Sequence, residues 1–514
     1  MTTIDPRIGQ RFCVGFHGLT APDYILDWLR TGRIGGVILF ARNIESPQQL
    51  AELTRTLHAA SKTPILIGID QEGGMVARLR QRQGFTESPG AMALAATPYN
   101  TRQTETMSRI LGIEMRTLGI NWTFAPVLDL SYNAANPTVG TRSFGRDPQQ
   151  IGALATSAAR GFQAAGVVAC AKHFPGLGNT AIDSHVDLPH LDIATADLIA
   201  RDLAPYRQVI AADVGSIMTT HTIFSALDDQ HPATLSPVII RQLVREELGF
   251  DGVIATDCLE MQAITKHYGA GESAVLAILA DVDILLVSHT VERQEEAIAA
   301  VTEAIASGRI TDAHLNASNE RIQRLKHAYA IQPRAIDASN INQVTHRTQA
   351  LRIAKQAVAI DGTLPAIDET VRVGVVEFAS YMDSDVMERE EPTSFAQRLL
   401  EQVPHAEIVA LHGVHPTDAQ RDRARAIAAA VDVLVIVTRN AHSLPQQHDL
   451  ARELLAAHEQ TILVALRNPY DADQLTATAT LLTFGDSTPS LQAATQALVG
   501  AYDPAGVRPV AAEV

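Results

Sequence analysis

Between residue 10 and about residue 290 the chain alternates short runs of β-branched and apolar residues with longer stretches of helical hydrophobic period. The short runs fall at residues 13–17, 36–40, 64–70, 120–128, 167–173, 216–222, 252–257 and 283–288. Eight strands, each followed by a helix, are the number that closes a parallel (β/α)8 barrel of TIM type. Most of the runs pass directly into Gly, Pro, His, Asp or Glu, as in GIDQEGG, FAPVLDL, AKHFPGLG, MTTHTIF and IATDCLE. Polar groups at the carboxyl ends of parallel strands are where such barrels hold their active sites.

The apolar period lapses at residues 331–345, IQPRAIDASNINQVT, and resumes as a helix from about residue 347. Beyond it, VRVGVVEF, EIVALHG, VDVLVIVT, TILVALRN and TLLTFG read as strands separated by helices, which predicts an open α/β sandwich. The chain is thus read as α/β throughout. A barrel is expected over residues 1–335, a linker and connecting helix over 336–370, and a sandwich domain over 371–514. The tail DPAGVRPVAAEV reads as a surface strap, and no fixed-period repeat points to a solenoid or propeller.

The 514 residues, 46% of them hydrophobic and 19% charged, suffice for more than one core and argue against extended disorder. With 41 basic against 57 acidic residues the net charge is -16, which repels a nucleic-acid backbone. Cys13, Cys170 and Cys258 lie in apolar runs at spacings that suit neither a disulfide framework nor a CxxC zinc site, as in a reducing compartment. The start MTTIDPRIGQRF lacks the basic and apolar regions of a secretory signal, and no apolar run reaches the length of a membrane span. A cytoplasmic protein with no membrane or nucleic-acid partner is therefore expected; the sequence names no protein partner.

The densest chemistry lies in KHFPGLGNTAIDSHVDLP, residues 172–189. In an extended loop residues i and i+2 point the same way, so Asp183 and His185 can form a carboxylate–imidazole pair able to donate and accept a proton near neutral pH. Taken alone, the triplet reads equally well as an Asp-capped turn beside a surface histidine. Gly176, Gly178 and Ala181 match a dinucleotide-binding spacing, but Pro175 and the D-S-H stretch describe a loop where that fingerprint needs a helix. Asp257 ends a β-branched run. It would point into a barrel mouth, or else cap a helix with Glu260 closing a capping box. Asp70 and Glu72, followed by Arg78, and Arg142 further on, are charges that can grip sugar hydroxyls or simply tie loops together. His17, His173, His185 and His221 near strand ends, together with Asp257, suggest a metal-dependent amidohydrolase as an alternative, although the H-x-H start is missing because residue 15 is Gly15.

Taken in order, GGVILFARN, IGIDQEGG, FAPVLDL, GTRSFGRDP, KHFPGLG, DSH and ATDCLEM resemble the glycoside hydrolase family 3 β-N-acetylhexosaminidases, enzymes that act on peptidoglycan fragments. The likeness runs from about residue 15 to residue 330, and the remainder resembles the sandwich carried by two-domain members. The resemblance implies that Asp257 is the nucleophile and that His185, paired with Asp183, is the acid/base. It also implies that Asp70, Arg78, Arg142, Lys172 and His173 bind the non-reducing N-acetylglucosamine of a muropeptide or related glycoside, with no metal or organic cofactor. Two positions depart from the family pattern: Leu177 stands where the loop usually holds His, and Cys258 follows the nucleophile where a second Asp is frequent. An imidazole base does not repel an anionic acceptor, so phosphorolysis of the same glycosides is the alternative to hydrolysis, with Lys172 expected to add positive potential.

Overall fold

The computed structural model describes residues 5–180, 183, 187–329, 340–378 and 394–510. Eight parallel strands form a closed barrel: β1 (Phe12–Val14), β2 (Gly36–Leu39), β3 (Leu66–Ile69), β4 (Trp122–Thr123), β5 (Val168–Phe174), β6 (Ser216–Thr219), β7 (Val253–Cys258) and β8 (Ile284–Val287). Each pairs with its sequence neighbours, and β8 returns to β1. All eight lie within or overlap the apolar runs. The run at 120–128 yields only the two residues of β4, because Pro126 has no N–H to give a ladder; pairing resumes at a single Val127–Lys172 bridge.

The lumen is filled by side chains such as Leu66, Trp122, Phe124, Val168, Met218 and Ile284. Trp122 buries its whole ring there because its one polar atom has a partner: Nε1 donates to Ser216 Oγ, which donates in turn to the Ala169 carbonyl. Gly68 makes room for this packing, since a Cβ at that position would come within 2.7 Å of the Phe124 ring. Outside the strands lies a helical layer with its own apolar core. Helix Pro148–Ala164 shows how the layer is built. The Asp147 carboxylate accepts from the Gln149 and Gln150 amides, Pro148 occupies the first turn, and Ile151, Leu154, Ala155, Ala158 and Phe162 make one buried stripe. Burial of each large side chain in that stripe contributes about 1.5–3 kcal/mol.

The second unit is a six-stranded sheet of β9 (Ala359–Gly362), β10 (Val373–Phe378), β11 (Glu407–Leu411), β12 (Val433–Thr438), β13 (Thr461–Ala465) and β14 (Ala479–Leu482). Their spatial order is β9-β14-β13-β12-β10-β11, with β9 antiparallel and the others parallel. A separate apolar core covers each face, the layering expected of a sandwich. The stretch expected to be only linker and helix, 336–370, also supplies β9. As an edge strand with one buried side chain, its sequence AIDG carries no apolar run.

The barrel and the sheet share a fifth core in which Met92, Ala93 and Ala96 of the barrel meet Leu482, Phe484 and Val510. The tail does act as a strap, the Val507 amide donating to the Ala96 carbonyl. Among the described residues no helix is long and apolar enough to cross a membrane.

Candidate active site

At the carboxyl ends of the barrel strands lies a cavity of about 440 Å3, and Asp70, Arg78, Arg142, Lys172, His173 and Asp257 all line it. Six of the eight residues proposed from the sequence are thus brought together from five separate chain segments. Asp183 is among the described residues, where its carbonyl accepts from the Asp187 amide, but it does not line the cavity. His185 lies outside the described residues.

Asp70 follows β3 directly. Its carboxylate receives Lys172 Nζ at 2.8 Å and Arg78 Nη2 at 3.5 Å. Arg78 is set by a small hairpin whose Gln71 side chain accepts from the Arg78 and Leu79 amides. Arg142 comes from a single 3-10 turn, and its Nη1 donates to the Thr138 carbonyl. Beneath these groups sits Glu72, its side chain 4% exposed, which takes Arg142 through Nε at 2.9 Å and Nη2 at 2.7 Å and Lys172 Nζ at 2.8 Å. Burial opposes the charge on Glu72, but the Arg142 guanidinium and the Lys172 ammonium outweigh it and hold the carboxyl well below the usual carboxylate range. Burial works against charge on Lys172 and Arg142 as well, and their carboxylate partners reverse it and raise both values. The result is a preorganised lattice of two carboxylates and three cations, with Asp70, Arg78, Arg142 and Lys172 also facing the cavity.

The Lys172–His173 peptide is cis, and both side chains reach the cavity. His173 Nδ1 lies 2.6 Å from Asp129 Oδ2, while Asp129 Oδ1 accepts from the Leu177 amide at 2.7 Å. The buried Asp129 carboxylate therefore places the histidine proton on Nδ1 and turns Nε2 toward Arg142 and the cavity. Sequence reasoning gave Asp129 no role. Its one signal was an acidic residue at the end of FAPVLDL, the same kind of position that singled out Asp257.

Asp257 stands near the end of β7 with its Oδ1 accepting from the next amide, Cys258 N, at 2.7 Å. The capping-box alternative does not hold: Glu260 bonds the His289 and Thr290 amides beyond β8, and the next helix starts at Gln262. Cys258 and Leu177 both line the cavity, and burial pushes the Cys258 thiol up to about 12, so it is neutral. Of the histidines of the metal alternative, the described ones, His17, His173 and His221, do not group to hold a metal ion. His17 is exposed, and His221 is engaged on both nitrogens, by Thr234 Oγ1 and the Cys258 carbonyl. No three His, Cys, Asp or Glu among the described residues group to hold a metal ion.

The family model for the glycosyl hydrolase family 3 N-terminal domain matches residues 3–325. A β-N-acetylglucosaminidase of family 3 from Paenibacillus sp. FPU-7 has a similar structure, with a TM-score of 0.93, 35% identity and 99% of each chain covered. β-Hexosaminidase A of Pseudoalteromonas piscicida is 33% identical over 391 residues, 70% of this chain and 64% of that relative, so the match spans less than two thirds of its length. A β-hexosaminidase of Thiobacillus denitrificans is 39% identical over 271 residues, 52% of this chain and 74% of its own. With the barrel, the charged cavity at its mouth and these matches in agreement, the chain belongs to glycosyl hydrolase family 3.

Proposed function

We propose that the protein is a retaining exo-β-N-acetylglucosaminidase of the cytoplasm that releases non-reducing terminal N-acetylglucosamine from muropeptides or related glycosides. The observation that carries this reading is the cavity itself, in which Asp257 shares one space with a lattice of charged groups suited to sugar hydroxyls. The similarity to enzymes named β-N-acetylglucosaminidase and β-hexosaminidase supports the choice of sugar.

In the proposed reaction Asp257 attacks the anomeric carbon, and the departing glycosidic oxygen takes a proton from His185, which Asp183 orients. Water then gives a proton to His185 as it attacks the glycosyl-enzyme, releasing the sugar with retained configuration. Asp70, Arg78, Arg142, Lys172 and His173 hold the ring so that its anomeric carbon faces Asp257. Lys172, held between Asp70 and Glu72, brings no uncompensated charge to the cavity, which favours water over phosphate as acceptor.

Chromogenic β-N-acetylglucosaminide, β-glucoside and β-xyloside assayed side by side test the substrate class, and the first is expected to be cleaved fastest. A fluorinated N-acetylglucosaminyl trapping reagent should label Asp257, and Asp257→Ala should abolish turnover while the protein stays folded. A label on Glu72 or Asp129 would overturn the assignment. His185→Ala should slow a disaccharide far more than an activated aryl glycoside, whose leaving group needs little protonation; equal losses would remove His185 from the acid/base role.

A further inference from the structure

A second cavity, of about 360 Å3, opens at the amino-terminal ends of the barrel strands, away from the charged cavity at their carboxyl ends. One wall comes from the turn 210–215 that leads into β6, another from the turn 249–253 that leads into β7, and the third from the last turns of helix Asp312–Tyr329. Both turns are pinned. Gln163 accepts the Gly215 amide on Oε1 at 2.8 Å and donates from Nε2 to the Asp213 carbonyl, while Arg245 Nη1 donates to the Phe250 and Gly252 carbonyls. The space is therefore preformed, and its volume lies in the range of small-molecule sites.

Beneath β7 and β8 three guanidinium groups, those of Arg11, Arg245 and Arg321, gather about two carboxylates, Asp281 and Asp283. One positive charge is left over, and Arg321 carries it to the cavity. Its side chain is 10% exposed; Nε and Nη2 bind Asp283 and Asp281, and Nη1 meets no described residue. Buried polar atoms of this kind are ordinarily satisfied. Arg324 adds no further charge, because it pairs with Asp251 at 2.8 Å. The opposite sign comes from another wall, where the Asp213 carboxylate forms no ion pair with a described residue. Between the two charges the lining is apolar, with Ile210, Val214, Phe250 and Leu325.

We propose that this cavity binds a free α-amino acid with an apolar side chain, its carboxylate on Arg321 Nη1, its ammonium on Asp213 and its side chain against the apolar lining. A simple anion would be repelled by Asp213 and a simple cation by Arg321, so a zwitterion is the charge pattern that complements both. The site needs none of the groups assigned to glycoside cleavage. It does touch the frame that holds them: Asp283, the partner of Arg321, accepts from the Ile254 amide of β7, the strand that carries Asp257 at its other end.

Titration calorimetry tests this with L-leucine, with N-acetyl-L-leucine, which lacks the ammonium, and with L-leucinamide, which lacks the carboxylate. Leucine should bind saturably at one site per chain, and each blocked derivative about tenfold more weakly. Asp213 has a φ of 58°, a left-handed conformation that Asn tolerates, so Asp213→Asn keeps the turn and should weaken leucine about tenfold. Ala328→Trp, at an exposed position on the rim, should fill the mouth and abolish binding. Excess leucine should raise the Tm of the wild type and leave that of Ala328→Trp unchanged. The proposal is overturned by a wild type that shows neither saturable heat nor a rise in Tm. Leucine binding that either variant leaves unchanged overturns it too, by placing the ligand elsewhere, and equal binding of the blocked derivatives would show that the two charges are not read. No glycoside enters these measurements, so their outcome is independent of the glycosidase reading.

Discussion

Glu72 shows how one buried carboxylate organises a binding surface. It stands behind Arg142 and Lys172 and fixes both cations, so that their remaining hydrogen-bonding directions face the cavity. Glu72→Gln keeps the shape and removes the charge, leaving two buried cations with less compensation. A stability loss of about 3–5 kcal/mol and a drop in kcat/KM of about 10–100-fold are expected, measured by urea unfolding and by aryl glycoside kinetics. The pH dependence has a definite sign. The native carboxyl titrates well below the unfolded value of about 4.3, so as pH falls through that value the unfolded chain binds a proton that the native one does not. Glu72 therefore stabilises the fold above this range and loses its contribution in acid. In Glu72→Gln the decline in stability between about pH 5 and pH 3 should be shallower than in the wild type; identical acid limbs would show that Glu72 is not held ionised.

Among the elements, helix Asp312–Tyr329 closes the base of the barrel and carries the buried cation Lys326. Its Nζ donates to Gln10 Oε1 and to the Gly35 carbonyl, both at 2.6 Å, and burial brings its value down to about 7. Gly35 has to be glycine here, because a Cβ would lie 2.6 Å from Gln10 Cα and 2.9 Å from the Lys326 nitrogen. Between about pH 7 and the unfolded value near 10.4 the unfolded chain holds a proton that the native one has lost, so this group makes stability rise with pH. Lys326→Met should remove that rise. The wild type should therefore gain on the variant between pH 7 and pH 9.5 in chemical denaturation, and a constant difference would show that Lys326 stays protonated in the fold.

At the scale of the molecule, the barrel and the sheet are joined by a shared apolar core and by buried polar ties. Ser131 Oγ meets Tyr470 Oη at 2.9 Å, and the Thr488 amide donates to Glu87. Glu114 is the densest tie. Its carboxylate accepts from the Thr86 amide and hydroxyl and from the Asn342 amide, and lies 2.9 Å from His346 Nδ1 at the start of helix Val344–Ala357. Calorimetry of the wild type should show one cooperative transition. Glu114→Ala takes the partner from the Thr86 amide and hydroxyl, the Asn342 amide and His346 Nδ1, and should cost about 2–4 kcal/mol, lowering Tm and drawing the barrel and sheet transitions apart. Two resolved transitions already present in the wild type would show that the units fold independently.

The sequence by itself determined the number and order of the barrel strands, five strands of the sheet and the residues poised at strand ends. These depend on local patterns: apolar runs for strands buried on both faces, and polar residues directly after them. Asp70, Lys172, His173 and Asp257 were legible for that reason, Arg78 and Arg142 through the family resemblance, and the cavity brings all six together. Only the tertiary structure decided which charges meet. Glu72 pairs with Arg142 across 70 positions, and Asp129 with His173 across 44, separations at which no hydrophobic period carries information. Strand β9 escaped because an edge strand buries too little to imprint a pattern. The cavity at the base of the barrel exists only once the barrel has closed, since its walls come from residues 210–215, 249–253 and 321–328, far apart along the chain.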